Sequence, residues 1–154
     1  MKSHEKELDS MDRKILHSLV KNSNRSYRTL AKDLEMSPAA IIERVHRLEN
    51  DGYITGYGAR VDYLKLGFEF MAVVDIAIKG KDLLAVERKI SDFPGVAAVY
   101  DSTGEHDAIA ILMCKSRSDL SSLVKKIVGT ADVSKTNTKI VLNVLKRLTE
   151  FDEV

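Results

Sequence analysis

The sequence is poor in several residue types that define other protein classes. It has one cysteine, two prolines and no tryptophan among 154 residues. The single cysteine, Cys114, excludes a disulfide within the chain, and its apolar surroundings favour a core residue over a redox group. No uninterrupted apolar run approaches the roughly 20 residues of a membrane-spanning helix, and the polar N-terminus has no signal-peptide pattern. We therefore expect a cytoplasmic protein with no membrane partner.

Neither sign of charge dominates the chain. Its 24 Lys and Arg residues and 23 Asp and Glu residues give a net charge of +1, so bulk charge alone does not indicate nucleic acid. The content of 44% hydrophobic and 31% charged residues is that of an ordinary globular protein. A chain of this length suits one or two small domains, each of marginal stability alone, so association between chains is expected.

Familiar catalytic and cofactor motifs are missing as well. The chain has no phosphate-binding glycine loop, no HExxH pattern, no Cys/His pair at metal-ligand spacing and no serine elbow. Its four histidines are scattered along the sequence at His4, His17, His46 and His106. We expect no enzymatic activity, no metal site and no cofactor.

The sequence does contain a pair of short amphipathic helices separated by a tight break. Ser37 is a favourable N-cap because its hydroxyl can accept from free backbone N–H groups, and Pro38 suits the first helical position. The first helix is predicted over 27–35 and the second from 38 onward. Apolar residues recur at helical spacing and are expected to be buried: Leu30, Ala31, Leu34, Ile41, Val45 and Leu48. This pattern predicts a helix-turn-helix.

The opposite face of the second helix combines small and charged side chains. Ala39 and Ala40 would let the backbone lie close to base edges, whereas Arg44 and Arg47 can reach guanine or phosphate. Glu43 lies on the same face. The alternative interpretation is an ordinary surface hairpin of helices whose charges are only solvated.

The flanking segments complete the N-terminal domain in this interpretation. A first amphipathic helix is predicted over 9–21, with Asp9 or Ser10 as its cap and Asp12 placed favourably for the helix dipole. The alternation of glycine with aromatic and β-branched residues at 53–58 predicts two short wing strands. Apolar residues at 59–69 predict a packed hinge or an extra strand.

From Phe70 the pattern changes to strands alternating with helices. The predicted strands are 71–78, 96–102, 108–114 and 133–148, the last with a possible break near Thr138. The predicted helices are 82–91 and 118–128. The order βαββαβ predicts a four-stranded antiparallel sheet with both helices on one face. The predicted fold is α+β, with domain boundaries of 1–58, 59–69 for the hinge, and 70–154.

Taken together, these motifs resemble the Lrp/AsnC family of prokaryotic transcriptional regulators. The resemblance spans Leu8 to Arg147 and includes, in the family's order, LDSMDRKIL, the helix-turn-helix, RLENDGYITGY, LG, FPGV and STGEHD. It implies an N-terminal winged helix-turn-helix that binds double-stranded DNA and a ferredoxin-like C-terminal RAM domain. It also implies a small-molecule effector, in the first place an amino acid, and homodimers that assemble further into tetramers or octamers.

The resemblance also implies which residues form two sites. The expected DNA contacts are Ser26, Tyr27, Arg28, Ser37, Pro38, Ala39, Ala40, Glu43, Arg44 and Arg47. The expected effector contacts, between subunits, are Gly104, Glu105, His106, Asp107, Thr136 and Thr138. The glycine would expose backbone N–H groups to a ligand carboxylate, and Asp107 would pair with an α-ammonium. His106 replaces the tyrosine of many members, and Ala108-Ile109 is smaller than the common pattern; either departure could change which amino acid binds or whether any binds.

Three alternatives stay open at this point. An architectural protein would wrap DNA with little sequence choice, and base-pair substitutions would hardly affect it. An enzyme similar to siroheme decarboxylases would share the two-domain architecture but need a haem-sized pocket. The loop from Gly104 to Asp107 can also be a plain hairpin turn at an oligomer interface.

Overall fold

The computed structural model describes residues 7–148 and 151, so His4 lies outside the described residues. The elements in chain order are α1 (Ser10–Lys21), α2 (Tyr27–Asp33), α3 (Pro38–Asn50), β1 (Phe70–Ile78), α4 (Leu83–Ser91), β2 (Val96–Asp101), β3 (Ala108–Cys114), α5 (Arg117–Val128) and β4 (Val133–Ile140). Within this described part of the chain, no helix has the length and apolar character needed to cross a membrane.

The chain forms two compact units. The first ends at Arg60 and also includes the C-terminal segment from Lys146, whereas the second is Val61–Leu145. The predicted domain boundaries of 1–58, 59–69 and 70–154 reach beyond the described residues at both ends and stay a prediction.

Three helices enclose the apolar core of the first unit. Each helix contributes one stripe of side chains, and the buried members are Ile15, Leu16, Leu19, Leu30, Ala31, Ile41, Val45 and Leu48. Leu34 is partly buried against the same core. The predicted helical stripes are therefore confirmed. Burying each of the larger side chains stabilises the fold by about 1.5–3 kcal/mol relative to leaving it exposed.

Serine side chains cap the second and third helices, and the cap at Ser37 was predicted. Ser26 Oγ accepts from the backbone N–H of Thr29 at 3.1 Å, and Ser37 Oγ accepts from that of Ala40 at 3.2 Å. Pro38 occupies the first turn of α3. These caps satisfy N–H groups that the helices themselves leave without partners, and so fix where α2 and α3 begin.

The turn between α2 and α3 depends on a left-handed residue. Glu35 has φ 54°, and the next residue, Met36, donates its backbone N–H to the carbonyl of Ala31 at 2.8 Å. This reversal ends α2 at Asp33, two residues before the predicted end. A non-glycine residue adopts the left-handed conformation only at a cost in free energy.

The predicted pair of wing strands does not form. Residues 53–60 contain no strand, and Ile54 is the residue of this segment that packs against the core of the first unit. Tyr53 and Tyr57 are exposed, and Tyr57 donates its hydroxyl to Glu49 at 2.7 Å. Because glycines separate the large side chains, the segment lacks the continuous apolar row that would stabilise a strand pair.

The extra strand that was one of the two alternatives for 59–69 does not form, and a hinge at these residues stays a prediction. Residues 63–67 form a turn, and Phe68 is half-buried, but the other large apolar side chains of the segment are between 46% and 63% exposed: Val61, Tyr63, Leu64 and Leu66. Tyr63 and Phe68 pack edge to face, with ring centroids 6.0 Å apart. The apolar composition was therefore a poor guide to burial in the single chain.

The second unit contains the predicted antiparallel sheet, in the order β2-β3-β1-β4. Alternate residues of β3 are buried beneath both helices, and the core combines them with inward side chains of α4 and α5: Ala108, Ala110, Leu112, Cys114, Val86, Ile90, Leu120, Leu123 and Ile127. Both helices therefore lie on one face. The ferredoxin-like βαββαβ arrangement and the core position of Cys114 are confirmed.

The last strand is shorter than predicted. It continues through Thr138 without a break and ends at Ile140, not at residue 148. Its partner is β1, which begins at Phe70, and the final contact of the pair is a bond from the N–H of Val141 to the carbonyl of Met71 at 2.9 Å. The strand ends because little of β1 remains beyond that point to accept or donate hydrogen bonds.

Replacing Glu35 with glycine should stabilise the first unit by about 0.5–1 kcal/mol. The substitution removes a left-handed strain of about 1–2 kcal/mol, partly offset by the greater entropy of glycine in the unfolded chain. Chemical denaturation measures the difference. Glu35→Gln is the control, since it removes the charge and keeps the strain. A glycine variant no more stable than the glutamine variant would contradict the proposed strain.

Candidate nucleic-acid interface and effector loop

The N-terminal turn of α3 presents a small, accessible surface. Ser37, Pro38 and Ala39 are exposed, and Ala40 is half-buried. The apolar stripe of α3 faces the core of the first unit, so the helix cannot turn these residues inward. Short side chains at this position permit the close approach to base edges that major-groove readers need.

The residues predicted to contact DNA lie at the start of α2 and along α3. Those that are exposed are Ser26, Arg28, Ser37, Pro38, Ala39 and Glu43, and those that are half-buried are Tyr27, Ala40, Arg44 and Arg47. A shallow depression on α3 is lined by Met36, Ala40, Glu43, Arg44 and Arg47. The structure therefore places these residues on two helices of one unit.

The two α3 arginines are bound by two aspartates of the α1 start, Asp9 and Asp12, which we call the acidic pair. Arg44 Nη1 lies 2.6 Å from Asp9 Oδ2 and 2.7 Å from Asp12 Oδ1. Arg47 Nη2 also binds Asp12, through Oδ2. The Asp12 side chain is only 1% exposed, whereas Arg44 and Arg47 are 27% and 31% exposed. One buried carboxylate thus holds both arginines.

The two carboxylate oxygens of Asp9 make different interactions: one caps α1 and the other binds Arg44. Its Oδ1 accepts from the backbone N–H groups of Met11 and Asp12 at 2.8 and 2.7 Å, and its Oδ2 binds Arg44. Asp12 in turn accepts from the N–H of Asp9, which completes a capping box. The Asp12 N–H and then Arg44 lower the pKa of Asp9 to about 2, so Asp9 stays ionised at neutral pH. The same ion pairs raise the pKa of Arg44.

Sequence reasoning missed these ion pairs, although a signal was present. Asp12 has the same helical spacing as Ile15, Leu16 and Leu19, so it belongs to the buried stripe of α1. A charged residue on such a stripe must find a partner of opposite charge, because an unpaired buried charge is very costly. The position indicated that Asp12 has a partner but could not identify it.

Basic residues near the start of α2 differ in their surroundings. Arg25 forms an ion pair with Asp33 and donates to Ser18 Oγ at 2.6 Å. Arg28 lies in the first turn of α2 and is exposed. Its position suits a contact with a DNA phosphate, which would orient the protein without reading sequence.

The candidate effector loop is anchored by Asp107. The N–H of Asp107 donates to the carbonyl of Ile76 at 3.0 Å, and its Oδ2 accepts from the N–H of Ile78 at 2.7 Å. Its carbonyl accepts from the N–H of Ser102 at 2.8 Å. These bonds agree with the hairpin-turn interpretation, because they give Asp107 a structural task that needs no ligand.

The tip of the loop is open. Gly104 and Glu105 are exposed, and Glu105 Oε1 lies 3.7 Å from Lys135 Nζ. Gly104 has φ 129°, and no other group lies within 4 Å of the position that a Cβ would take. Its backbone is therefore accessible, as the expected contact with a carboxylate requires.

Thr136 and Thr138 lie on the helix-covered face of the sheet. Thr136 pairs with Ile76 and Thr138 with Val74, and both partners are buried beneath the helices. Residues directly opposite each other point to the same face. Thr136 is half-buried and Thr138 is exposed. Ile76 also pairs with Ala108, which follows the loop directly.

Two polar atoms near the loop are buried without hydrogen-bond partners among the described residues. They are His106 Nε2 and Glu87 Oε1. Burial, together with the negative charges of Asp101 and Asp107, raises the pKa of Glu87. Sequence reasoning missed Glu87, although its spacing from Leu83, Val86 and Ile90 places it on the inward stripe of α4.

Within the described ranges, no group of three or more His, Cys, Asp or Glu side chains is arranged to hold a metal ion. The arrangement found at the two candidate sites consists of hydrogen-bond donors, carboxylates and arginines. Such groups suit binding by charge and hydrogen bonds.

Two family models match most of the chain. Residues 8–49 match the AsnC-type helix-turn-helix domain, and residues 71–151 match the Lrp/AsnC ligand binding domain. An uncharacterized HTH-type transcriptional regulator of Pyrococcus furiosus is 40% identical over 140 residues, covering 91% of this chain and 95% of the relative. LrpA of Pyrococcus horikoshii, also an HTH-type transcriptional regulator, is 31% identical and covers 90% and 99% of the two chains.

Solved structures show the same architecture. AsnC of E. coli is 30% identical, with a TM-score of 0.83, and the match covers 93% of this chain and 99% of that one. A Neisseria meningitidis transcriptional regulator solved in complex with L-methionine is 23% identical, with a TM-score of 0.88 and coverage of 94% and 96%. At that identity, the second likeness supports the fold alone.

The chain therefore belongs to the Lrp/AsnC family of transcriptional regulators. It combines a DNA-binding helix-turn-helix with a ligand-binding domain of that family. Its relatives are named as transcriptional regulators, which indicates a role outside catalysis.

Asp12→Asn should destabilise the first unit by about 2–3 kcal/mol. The substitution leaves Arg44 and Arg47 half-buried without their shared negative charge, and removing one member of such a group is costly. Urea denaturation measures the loss, and Asp51→Asn, an exposed aspartate at the end of α3, is the charge-matched control. Equal stability of the two variants would show that the ion pairs contribute little.

Glu87→Gln should stabilise the protein in neutral buffer but not below pH 4.5, the ordinary pKa of the side chain. Because the folded-state pKa is raised, the stability linked to this group is fully present at low pH and is lost as pH rises through the raised value. Glutamine avoids that loss. Denaturation over a pH series tests the difference, and Glu105→Gln, 80% exposed, is the control. If the free energies of unfolding of Glu87→Gln and the native protein differed by the same amount at every pH, the prediction would be wrong.

Proposed function

We propose that the protein binds promoter DNA as a homodimer with sequence specificity, and that an amino acid or related metabolite bound between subunits modulates this binding. The observation that carries the proposal is that the first turn of α3 is exposed and has small side chains, while the apolar stripe on the opposite face of the helix is buried in the core. The small residues would let α3 enter the major groove, with its first turn against base edges.

The DNA contacts divide into positioning and reading. Ser26, Tyr27 and Arg28 lie at the start of α2, where side chains and backbone N–H groups can bind phosphates. The bases would be read by the N-cap of α3 and by residues along that helix, which are Ser37, Pro38, Ala39, Ala40, Glu43, Arg44 and Arg47. Arginine is the side chain that most often reads guanine, through a pair of hydrogen bonds to one base edge.

The uncovered face of the sheet supports the homodimer. Its apolar side chains alternate with the buried ones and are only half-buried within the single chain, and they include Met71, Val73, Ile109, Ile111 and Met113. A second copy would cover them in a two-fold arrangement. The two copies of α3 would then lie about one DNA turn apart, roughly 34 Å, and recognise an imperfect palindrome. Further assembly into tetramers or octamers would bring effector loops together.

The effector proposal rests on the loop from Gly104 to Asp107 with Thr136 and Thr138. The open backbone at Gly104 suits a ligand carboxylate, and the second oxygen of Asp107 suits an ammonium group. His106 Nε2 is buried without a partner in the described chain, so a ligand or a neighbouring subunit would improve its hydrogen bonding. The match of residues 71–151 to the Lrp/AsnC ligand binding domain supports a small-molecule ligand in this unit.

We further propose that the protein has no enzymatic activity and acts in the cytoplasm, where its promoter DNA is found. The names of its relatives as transcriptional regulators support the first point.

A gel-shift experiment tests the function. The protein's own promoter is the probe, unrelated DNA is the competitor, and a panel of amino acids is added in turn. A specific complex that changes with one amino acid supports the proposal. Binding that ignores sequence would favour an architectural protein, and absence of binding would contradict a DNA-binding function.

Asp107→Asn should reduce the effector sensitivity of the complex by at least about tenfold while leaving effector-free DNA affinity unchanged. Asparagine keeps an oxygen for the N–H of Ile78 but loses the charge that would bind an ammonium. Titration of the effector in the gel-shift measures the change. Asp92→Asn, at the exposed end of α4, is the control. An unchanged effector response in Asp107→Asn would show that the ligand binds elsewhere.

A further inference from the structure

We infer that the acidic pair, Asp9 and Asp12, limits sequence-independent DNA binding by α3 and thereby sharpens its specificity. The two aspartates neutralise Arg44 and Arg47 within the protein, so these arginines do not act as free positive charges toward phosphates. This inference rests on the proposed contact of α3 with DNA.

The charges of the cluster balance. Two arginines face two aspartates, and every ion pair joins α1 to α3: Arg44 to both aspartates and Arg47 to Asp12. Glu43 adds a further exposed negative charge to α3. Although α3 carries two arginines toward its proposed DNA surface, the cluster that they form with the acidic pair has no net charge.

This charge balance changes how much binding free energy the two arginines gain from contacting phosphate or a base. A free arginine that binds phosphate releases condensed counterions, which gives an affinity independent of sequence and strongly dependent on salt. An arginine held by a carboxylate must first give up that partner, so it exchanges one negative group for another. A phosphate therefore adds little binding free energy, because the arginine already binds a negative group. A guanine edge offers two acceptors with fixed geometry, so a base that fits gains more than the backbone does.

Asp9 is the member of the pair that can be changed without loss of the helix cap. Its Oδ1 caps α1 while its Oδ2 binds Arg44, and the side chain is 49% exposed. Asparagine is among the best N-cap residues and keeps the oxygen that accepts from the backbone. Asp9→Asn therefore removes one of the two negative charges that face Arg44, leaves the cluster with a net charge of +1, and preserves the start of the helix.

Fluorescence anisotropy with an operator duplex and an unrelated duplex, over a salt series, tests the inference. Asp9→Asn should bind the unrelated duplex about three- to tenfold more tightly at low salt. The slope of log affinity against log salt on that duplex should become steeper by about 0.9, the value for one additional phosphate contact. The ratio of operator to unrelated affinity should fall. Damage to the fold would weaken binding, so it cannot produce this gain.

Three further variants show whether the freed charge is that of Arg44. Asp51→Asn makes the same change in net charge at the other end of α3, and its slope should stay near that of the native protein. Arg44→Gln alone removes a residue proposed to read DNA, so it serves only as the reference for the double variant. Adding Arg44→Gln to Asp9→Asn should abolish the steepening.

The outcomes separate the inference from the function on which it rests. Specific operator binding together with equal slopes for Asp9→Asn and Asp51→Asn would overturn the inference and leave the proposed function intact. Absence of any DNA binding by the native protein would overturn both.

Discussion

The first unit depends on one buried carboxylate, that of Asp12. Its two oxygens bind Arg44 and Arg47, so the start of α1 is tied to α3 at two positions one turn of helix apart. Apolar packing alone would tolerate small rotations of α3, because Ile, Val and Leu side chains fit many similar arrangements. Two directional ion pairs from one buried group tolerate far less. The ion pairs to the start of α1 therefore help to fix the orientation of the proposed DNA surface on α3.

Local patterns predicted most of the fold, and the failures have a common physical origin. The spacing of Ile41, Val45 and Leu48 and the serine at position 37 determine α3 through contacts within a few residues, and such signals are readable in sequence. The length of β4 depends on where its partner β1 begins, which is a non-local fact. The 59–69 segment is apolar but exposed in the single chain, because composition does not tell which surface covers a side chain.

At the candidate sites too, features set by neighbouring residues were predicted, whereas features set by residues distant in sequence were not. The exposed start of α3 and the open glycine of the effector loop were predicted, since each follows from the preferences of single residues. The partners of Arg44 and Arg47 were not, because the aspartates lie about thirty residues away in sequence. Asp107 likewise bonds to β1 backbone groups that only the folded sheet brings near. The sequence suggested that both oxygens of the Asp107 carboxylate are available to a ligand. In the folded chain, Oδ2 already accepts a hydrogen bond, so only Oδ1 is available.

The position of β4 at one edge of the sheet has a consequence for colloidal behaviour. Edge strands offer unpaired backbone groups to other chains and are a common route to aggregation. Here β4 carries Lys135 and Lys139, and the second lysine is held by Asp75 with Nζ to Oδ2 at 2.6 Å. Lysines on an edge strand hinder its pairing with a strand of another chain. Strand-to-strand growth into fibres is thus disfavoured, while assembly through the apolar sheet face is left open.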